Sequence, residues 1–357
     1  MRLIACGSVD DGKSTLIGRL LNDAHGLPDD EVATLAADSR RVGTRGGEID
    51  YALALDGLAA EREQGITIDV AHRYFSTATR RYILADAPGH EQYTRNMATA
   101  ASRADLALVL VDARKGVVAQ TRRHTCLLAL LGVPEVVLVV NKMDLAGYSR
   151  EAFEAITRDY AEFAAKAGLG SAGAIPTCAT LGENVVARAE SMPWYAGPSV
   201  MERLEETRVD GERVARGGFR MPVQSVMRFD DGTRAYAGMA SGADLARGER
   251  VVVLPSGREA QVDAILGPSG ELPRAAAGQS VALKLSEHLD VSRGDLVCAA
   301  SRPASVATQF DAHVIWIGDE PLLRGRDYLV KCGTRSATAT VSPVRHKLNV
   351  ETLEKIA

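Results

Sequence analysis

The stretch Leu3–Leu16 reads LIACGSVDDGKSTL, and it decides how the rest of the chain is interpreted. Its first four residues are apolar and predict a strand ending at Gly7, and a helical run follows Ser14. Between them lies G-x-x-x-x-G-K-S, in which glycines allow a tight turn whose backbone N–H groups point at phosphate oxygens. A glycine-rich β-turn is the alternative, but it does not explain adjacent lysine and serine residues at a helix start. The stretch therefore predicts a phosphate-binding loop.

Each residue of this loop has a chemical reason to contact a nucleotide. Lys13 is predicted to place a positive charge at the β- and γ-phosphates, and the Ser14 hydroxyl is a ligand for Mg²⁺. The N-terminus of the following helix adds partial positive charge. The predicted contacts in the loop are Gly7, Ser8, Val9, Asp10, Asp11, Gly12, Lys13, Ser14 and Thr15.

Composition limits the classes of protein to consider. With 357 residues the chain has room for two or three domains, and its 46% hydrophobic and 25% charged residues are ordinary for a globular protein. A net charge of −4 argues against binding nucleic acid irrespective of sequence. No apolar run has the length of a membrane span or a signal peptide, and five scattered cysteines without a C-x-x-C pair favour reduced thiols. We therefore expect a cytoplasmic protein.

A long polar segment, residues 22–63, separates the first helix from the sequence EREQGITID at residues 61–69. Such long connections are usually functional. A threonine here can close over a γ-phosphate and offer its hydroxyl to Mg²⁺, and hydrolysis then releases the segment. Thr67 is the candidate for this role; the alternative is an ordinary β-branched residue at the start of a strand, 66–70.

The sequence Asp86-Ala87-Pro88-Gly89-His90 follows a predicted hairpin strand. Asp86 is predicted to serve Mg²⁺ through a water molecule, and the Gly89 N–H to approach the γ-phosphate. His90 is predicted to orient the attacking water, although a lone histidine is more often a surface residue. The catalytic candidates are thus His90, Lys13 and Thr67, and the magnesium candidates are Ser14, Thr67 and, through water, Asp86.

Two later loops predict recognition of guanine. After the apolar run 136–140 come Asn141, Lys142, Met143 and Asp144, where the carboxylate can accept both the N1–H and the N2–H₂ of guanine. The Lys142 stem is expected to cover the base, and Asn141 to tie this loop to the phosphate loop. A further loop with Cys178, Ala179 and Thr180 is expected to support the base through its main chain.

Alternating strands and helices with sites at strand ends predict a doubly wound, mostly parallel α/β sheet over residues 1–207. A charged linker at 205–218 precedes six short strands, which predict a small antiparallel β-barrel within residues 208–301. Residues 302–357 have predicted strands at 310–317, 326–333 and 336–344, too few to close another barrel, so we expect either that the chain continues past Ala357 or that a partner covers the open edge. The basic cluster at 345–347 is interpreted as solvated surface, with an anion or partner contact as the alternative.

The four motifs in this order resemble the translation-factor class of GTPases, which spell them G-x-V-D-x-G-K-[ST] and D-x-P-G-H. The runs GSVDDGKS (7–14), GGEIDYAL (46–53), HEQYTRNMAT (90–99) and SMPWY (191–195), with Gly197-Pro198, resemble more closely the large GTPase subunit of bacterial sulfate adenylyltransferase. That resemblance implies a separate catalytic subunit, which forms adenosine 5′-phosphosulfate and pyrophosphate from ATP and sulfate while GTP hydrolysis here drives the reaction.

The resemblance also implies that Val9 and Ile66 form an apolar gate for His90, and it favours a chain that continues past Ala357, because the last domain of that family is longer. Two residues depart from the family pattern: Ala87 stands where threonine is expected, and Cys178 replaces a serine. The cofactors implied are GTP or GDP and Mg²⁺. Two alternatives stay open: an elongation-factor-like GTPase that delivers aminoacyl-tRNA, and a GTP-binding scaffold that does not hydrolyse.

Overall fold

The computed structural model describes residues 1–24, 26, 29–42, 49–54, 70–170, 173–208, 217–230 and 232–356. Thr67 and Ile66 lie outside the described residues, and their assigned roles stay predictions. Backbone contacts divide the chain into two compact units, Met1–Arg208 with Arg345–Ala357, and Val209–Val344. The three-domain division drawn from the sequence likewise stays a prediction.

The first unit is built on a six-stranded sheet in the order β2-β3-β1-β4-β5-β6. Its strands are β1 (Arg2–Gly7), β2 (Ala71–Ser76), β3 (Arg81–Asp86), β4 (Leu106–Asp112), β5 (Glu135–Asn141) and β6 (Gly173–Pro176). All neighbouring strands are parallel except the β2–β3 hairpin. The predicted mostly parallel α/β sheet is therefore confirmed.

Helices connect these strands. They are α1 (Lys13–Asp23), α2 (Asp29–Val42), α3 (Thr94–Ala101), α4 (Ala119–Leu131), α5 (Arg150–Lys166) and α6 (Val200–Glu206). Short 3-10 turns occupy Tyr51–Ala54, Glu91–Tyr93 and Met143–Ala146. Helix α1 buries Leu16 and Leu20 in the same hydrophobic core as Leu108 of β4. None of the helices in the described part of the chain is long and apolar enough to span a bilayer.

Two helices differ from the sequence interpretation. Helix α2 occupies part of the polar segment 22–63 to which no element was assigned, and α6 covers the beginning of the region taken as a linker. Helix α6 begins with a capping box, in which the Ser199 hydroxyl accepts from the Glu202 N–H and the Glu202 carboxylate accepts from the Ser199 N–H. The charged residues that follow led the sequence analysis to predict a linker, although the capping box marks the start of a helix. Buried side chains such as Leu204 stabilise this helix.

The strand order brings the functional ends of the sheet together. β1 lies between β3 and β4, with Ala5 beside Asp86 and Gly7 beside Leu110. β5 lies on the other side of β4, with Asn141 beside Asp112. Since these strands are parallel, the loops that follow them all leave the same edge of the sheet.

The second unit contains an antiparallel barrel in the order β10-β15-β7-β8-β14-β11, closed by pairing of β11 with β10. The strands of this unit's barrel and its appended pairs are β7 (Arg220–Arg228), β8 (Arg234–Met239), β9 (Leu245–Ala246), β10 (Arg250–Leu254), β11 (Arg258–Gly267), β12 (Gly270–Leu272), β13 (Arg274–Ala275), β14 (Ser280–Leu285) and β15 (Leu296–Ala299). The interior is filled by alternate residues such as Met221, Tyr236 and Val251. The predicted barrel is confirmed.

The strand predicted at 310–317 is wrong, because residues 303–318 contain no regular element. Phe310 is 70% exposed and Val314 is 61% exposed, so this apolar stretch has neither a core nor a neighbouring strand among the described residues. A strand needs a hydrogen-bonded neighbour, and apolar composition alone does not supply one. Two hairpins follow: β16 (Asp327–Cys332) with β17 (Arg335–Thr340), and β18 (Lys347–Leu348) with β19 (Lys355–Ile356).

Candidate nucleotide-binding site

The loop after β1 is shaped by glycines at points of close approach. Gly12 has a φ of 87°, and its carbonyl accepts the Leu16 N–H at 2.9 Å to begin α1. A Cβ on Gly12 would lie 2.4 Å from the Asn141 side-chain nitrogen. At Gly7 a Cβ would lie 2.7 Å from the Leu110 carbonyl oxygen. Both glycines are therefore required by packing against other segments of the site.

Lys13 is the buried cation of this loop. Its side chain folds back so that Nζ donates to the carbonyls of Ser8 at 2.8 Å and Gly7 at 3.2 Å. Burial lowers the pKa of the ammonium, while the nearby carboxylates of Asp86 and Asp11 oppose that effect. Lys13 thus rests on backbone oxygens at a position where phosphate oxygens would be stronger partners.

Ser14 and Asp86 meet although 72 residues separate them in the chain. The Ser14 hydroxyl donates to Asp86 Oδ2 at 3.4 Å, and Asp86 is 1% exposed at the end of β3. Ala87 continues this edge, with its N–H donated to the Ala5 carbonyl at 3.1 Å. A hydroxyl oxygen beside a buried carboxylate is a donor set that suits Mg²⁺, so the residues fit this ion.

Gly89 brings its backbone directly against the phosphate loop. A Cβ there would lie 2.5 Å from Lys13 Nζ and 2.9 Å from the Gly7 carbonyl, so only glycine is accommodated. His90 follows at the surface of the site. Its Nδ1 accepts the Gln92 N–H at 3.3 Å, and its ring centroid lies 6.0 Å from that of Tyr93. Pro88, which precedes Gly89, is buried.

Asn141 connects three loops through one side chain. Its Nδ2 donates to the Asp11 carbonyl at 2.9 Å, across 130 residues of sequence. Its Oδ1 accepts the Thr177 hydroxyl at 3.2 Å and the Ala179 N–H at 3.0 Å. Asn141 is only 2% exposed, so all of these bonds are shielded from water. The Ala179 amide, which the sequence assigned to the base, is thus already bound to protein.

The next two residues complete the connection. Lys142 has a φ of 61°, a left-handed conformation, and its ammonium donates to the Asp10 carbonyl. The same ammonium lies 3.1 Å from Asp112 Oδ2. Met143 is fully buried, and its N–H donates to the Thr177 carbonyl at 3.1 Å. The loop is therefore anchored on both sides before any ligand is considered.

Asp144 is hydrogen-bonded by Cys178, the residue that replaces the serine of the family pattern. The Cys178 thiol donates to Asp144 Oδ1 at 3.1 Å and lies 3.1 Å from the Thr180 hydroxyl. Burial raises the pKa of this thiol, so it stays protonated and remains a donor. Cysteine can thus orient the carboxylate as a serine hydroxyl would, although more weakly.

The other predicted residues also lie in this region. Val9 and Thr15 are half-buried, whereas Asp10 is exposed with a φ of 67°. Thr67 falls outside the described part of the chain. The structure thus brings the phosphate loop, the D-x-P-G sequence, the N-K-x-D loop and the loop at 178–180 to one edge of the sheet.

Arg19 is a residue of the site that no motif revealed. From α1 its guanidinium donates to the Thr180 carbonyl at 3.4 Å and to Asp23 at 2.7 Å, and lies 5.1 Å from the Tyr51 ring centroid. A Cβ on Gly182 would clash with the guanidinium at 2.5 Å. Arg19 thereby connects the loop behind Asp144 to the 3-10 turn at Tyr51. An arginine in a helical pattern gives no sequence signal for such a role.

Comparison with known proteins agrees with this geometry. Residues 1–225 match the family described as elongation factor Tu GTP binding domain, and residues 309–357 match the family described as GTP-eEF1A C-terminal domain-like. Sulfate adenylyltransferase subunit 1 of Laribacter hongkongensis is 48% identical, over 100% of this chain and 74% of that protein. The chain belongs to this subunit family. The resemblance inferred from the motifs is confirmed, and the chain contains the family's GTP-binding domain.

Other relatives are longer. The bifunctional enzyme CysN/CysC of Xylella fastidiosa is 51% identical over 99% of this chain and 57% of its own length. The bifunctional enzyme NodQ of Rhizobium tropici is 52% identical over 98% of this chain and 55% of its own length. The chain therefore spans somewhat more than half the length of these two relatives.

Asp11 supplies a pH-dependent contribution to stability. It is 1% exposed, and its Oδ2 accepts the Ser8 N–H at 2.6 Å. Burial raises the pKa of the carboxyl to about 6; the charges of Lys13 and Lys115 and the Ser8 hydrogen bond oppose the rise, and Asp112 adds to it. Since the folded-state pKa lies above the unfolded value, this group stabilises the fold below pH 4 and loses that contribution as pH rises through 6.

We predict that Asp11→Asn removes this loss while keeping an oxygen acceptor for the Ser8 N–H. The free energy of unfolding of the variant relative to the parent should rise by about 2–3 kcal/mol between pH 4 and pH 7.5. Urea unfolding of nucleotide-free protein at several pH values measures this difference. The exposed Asp30→Asn exchange is the control for removing one carboxylate, and a pH-independent difference for Asp11→Asn would contradict the prediction.

Proposed function

We propose that this protein is the GTPase subunit of a sulfate adenylyltransferase. In this proposal GTP hydrolysis drives a separate catalytic subunit that makes adenosine 5′-phosphosulfate and pyrophosphate from ATP and sulfate. Membership of the subunit 1 family supports a partner subunit, and the GTP-binding domain supports the nucleotide. The observation that carries the nucleotide-binding part of the proposal is that the loops containing Lys13, Asp86, Asn141 and Cys178 meet at one edge of the sheet.

In the proposed base site, Asp144 reads guanine. Its carboxylate, oriented by Cys178, would accept from two guanine N–H groups that adenine does not offer together. Each charge-assisted hydrogen bond contributes about 1.5–3 kcal/mol, so the pair supports at least about 100-fold discrimination. The methylene stem of Lys142 would pack over the base, and Thr180 would support the loop beneath it.

In the proposed phosphate site, the backbone of residues 7–15 surrounds the phosphates and Lys13 exchanges its carbonyl partners for phosphate oxygens. Ser14 and Thr67 would hold Mg²⁺ directly and Asp86 through water; the ion would neutralise charge on the β- and γ-phosphates. Gly89 lies directly against the phosphate loop, and its N–H would donate to the γ-phosphate. His90 orients the attacking water and, with it, sets the rate of hydrolysis.

The competing function is delivery of aminoacyl-tRNA by an elongation-factor-like GTPase. The names of the two matching families come from elongation factors. Identities of about half to sulfate adenylyltransferase subunit 1 and its bifunctional relatives favour the sulfate enzyme. Filter binding of aminoacyl-tRNA to the GTP-loaded protein distinguishes the two, and tight binding would support the competitor.

We predict that Asp144→Asn converts the nucleotide requirement from GTP to xanthosine triphosphate. The amide can donate to the additional oxygen of xanthine, whereas it opposes the guanine N–H groups. The measurement is pyrophosphate release from ATP and sulfate by the complex with its catalytic subunit, at matched concentrations of each nucleotide. The parent protein should require GTP and the variant should require xanthosine triphosphate, with a change in relative preference of at least about 100-fold.

Asp159→Asn removes a half-exposed carboxylate from α5 and serves as the matched control. Its nucleotide preference should equal that of the parent. Pyrophosphate release that proceeds equally well without any guanine nucleotide would refute the proposed function. An unchanged preference in Asp144→Asn would refute the base-reading role while leaving a GTP-driven reaction intact.

We predict that His90→Ala leaves GTP and GDP affinity within about 3-fold of the parent but slows hydrolysis by about 100-fold or more, as expected for loss of a group that positions the nucleophile. Nucleotide titration and single-turnover hydrolysis in the presence of the catalytic subunit measure the two quantities separately. Tyr93→Phe, beside the histidine, controls for local packing. A parallel loss of affinity and rate in His90→Ala would assign His90 to binding instead.

A further inference from the structure

Asp112 is a buried carboxylate at the end of β4 that no motif includes. Its side chain is fully buried, and in the sheet register it lies beside Asn141, the first residue of the base-reading loop. The carboxylate faces two cations. Lys142 Nζ lies 3.1 Å from Oδ2, and Arg114 Nη2 lies 2.7 Å from the same oxygen.

Hydrogen bonds from Arg114 fix the orientation of this carboxylate. The Arg114 N–H donates to Asp112 Oδ1 at 2.9 Å, and the guanidinium Nε donates to the same oxygen at 3.0 Å. Together with the Nη2 contact they form a bidentate pair of fixed geometry. Burial would raise the pKa of Asp112, but the bonds from Arg114 and Lys142 outweigh it and hold that pKa well below its usual range. Asp112 is therefore an anion with a fixed position.

Lys142 is the flexible member of this group. A free lysine side chain loses considerable rotamer entropy when it is fixed. Here its ammonium is fixed at both sides, by Asp112 and by the Asp10 carbonyl of the phosphate loop. One end of the side chain is attached to the backbone of the base-reading loop, and the ammonium at the other end is held at the phosphate loop. The methylene stem therefore spans the gap between these two loops. The lysine is thus ordered by protein contacts alone.

We propose that Asp112 is a positioning residue for guanine-nucleotide binding, which acts by holding Lys142 in the orientation that covers the base. Arg114, whose side chain is half-exposed, acts on Lys142 only through Asp112. This inference rests on the proposed guanine-nucleotide function and adds to it a specific contributor to affinity. Because Asp112 contacts the nucleotide only through Lys142, its effect must disappear when the lysine cannot be held.

The test is a double-mutant cycle on GDP affinity with Asp112→Asn and Lys142→Met. Asn preserves shape but removes the charge, and Met preserves the apolar stem but removes the ammonium. We expect Asp112→Asn to weaken GDP binding by about 10- to 100-fold in the parent background, the size of one charge-assisted interaction. In the Lys142→Met background the same exchange should weaken binding less than 2-fold. Calorimetric titration gives the affinities, and far-UV circular dichroism of nucleotide-free protein checks folding.

Glu259→Gln is the matched control, because it removes one carboxylate of an exposed ion pair with Arg250 in the second unit. Its GDP affinity should equal that of the parent. A folded Asp112→Asn protein with parental affinity, or one that weakens binding equally in both backgrounds, would overturn the proposal, since the second result is that of a merely structural residue.

Two further measurements make the result unambiguous. If Asp112→Asn does not fold, Lys142→Met alone decides: a loss of about 10-fold or more in GDP affinity supports the proposal. A Lys142→Met protein with parental GDP affinity overturns it, because Lys142 then contributes nothing to binding and Asp112 cannot act through it. Parent protein that binds ADP as tightly as GDP would instead refute the proposed function, and this inference with it.

Discussion

The side-chain amide of Asn141 is the interaction on which the rest of the site depends. It donates to the phosphate loop and accepts from two residues of the loop at 177–179, joining segments that lie 130 and 38 residues away along the chain. A buried amide without its partners costs about 1–3 kcal/mol, so the Asn141 side chain stabilises the fold only where these loops meet it. The parallel sheet makes this possible, because it sends each of these loops to the same edge. The strand order of the sheet and the Asn141 hydrogen bonds thus depend on each other in forming the site.

The site around this amide contains several buried charged side chains. Lys13 is a cation inside the phosphate loop, while Asp11, Asp86 and Asp112 are carboxylates with almost no exposure. Such groups destabilise a fold unless they are paired, and here each has a partner that also belongs to the site. A nucleotide with its magnesium ion would bring charges of both signs that suit this arrangement. Burying these charges therefore costs electrostatic free energy in the folded chain, but it keeps the hydrogen-bond donors and acceptors of the site in fixed positions.

The sequence predicted those parts of the structure that follow from local rules. The glycines of the phosphate loop, the apolar strands β4 and β5 and the barrel strands all have patterns dictated by turns, burial and pleat. Helix α2 was missed because its polar composition hides the periodicity, and residues 310–317 were taken as a strand because their pattern was considered without a neighbour. Arg19 and Asp112 could not be found, since their roles arise from segments that meet only in three dimensions. Even the cysteine at position 178 needed its contact with Asp144 to be understood.

Hydrogen–deuterium exchange on nucleotide-free Asn141→Ala protein tests most directly whether one buried amide holds the site together. If the Asn141 amide holds these loops together, the amides of residues 8–12 and of residues 177–182 should exchange faster together, while those of β4 keep their protection. Faster exchange confined to the residues next to position 141, with the phosphate loop unchanged, would contradict it.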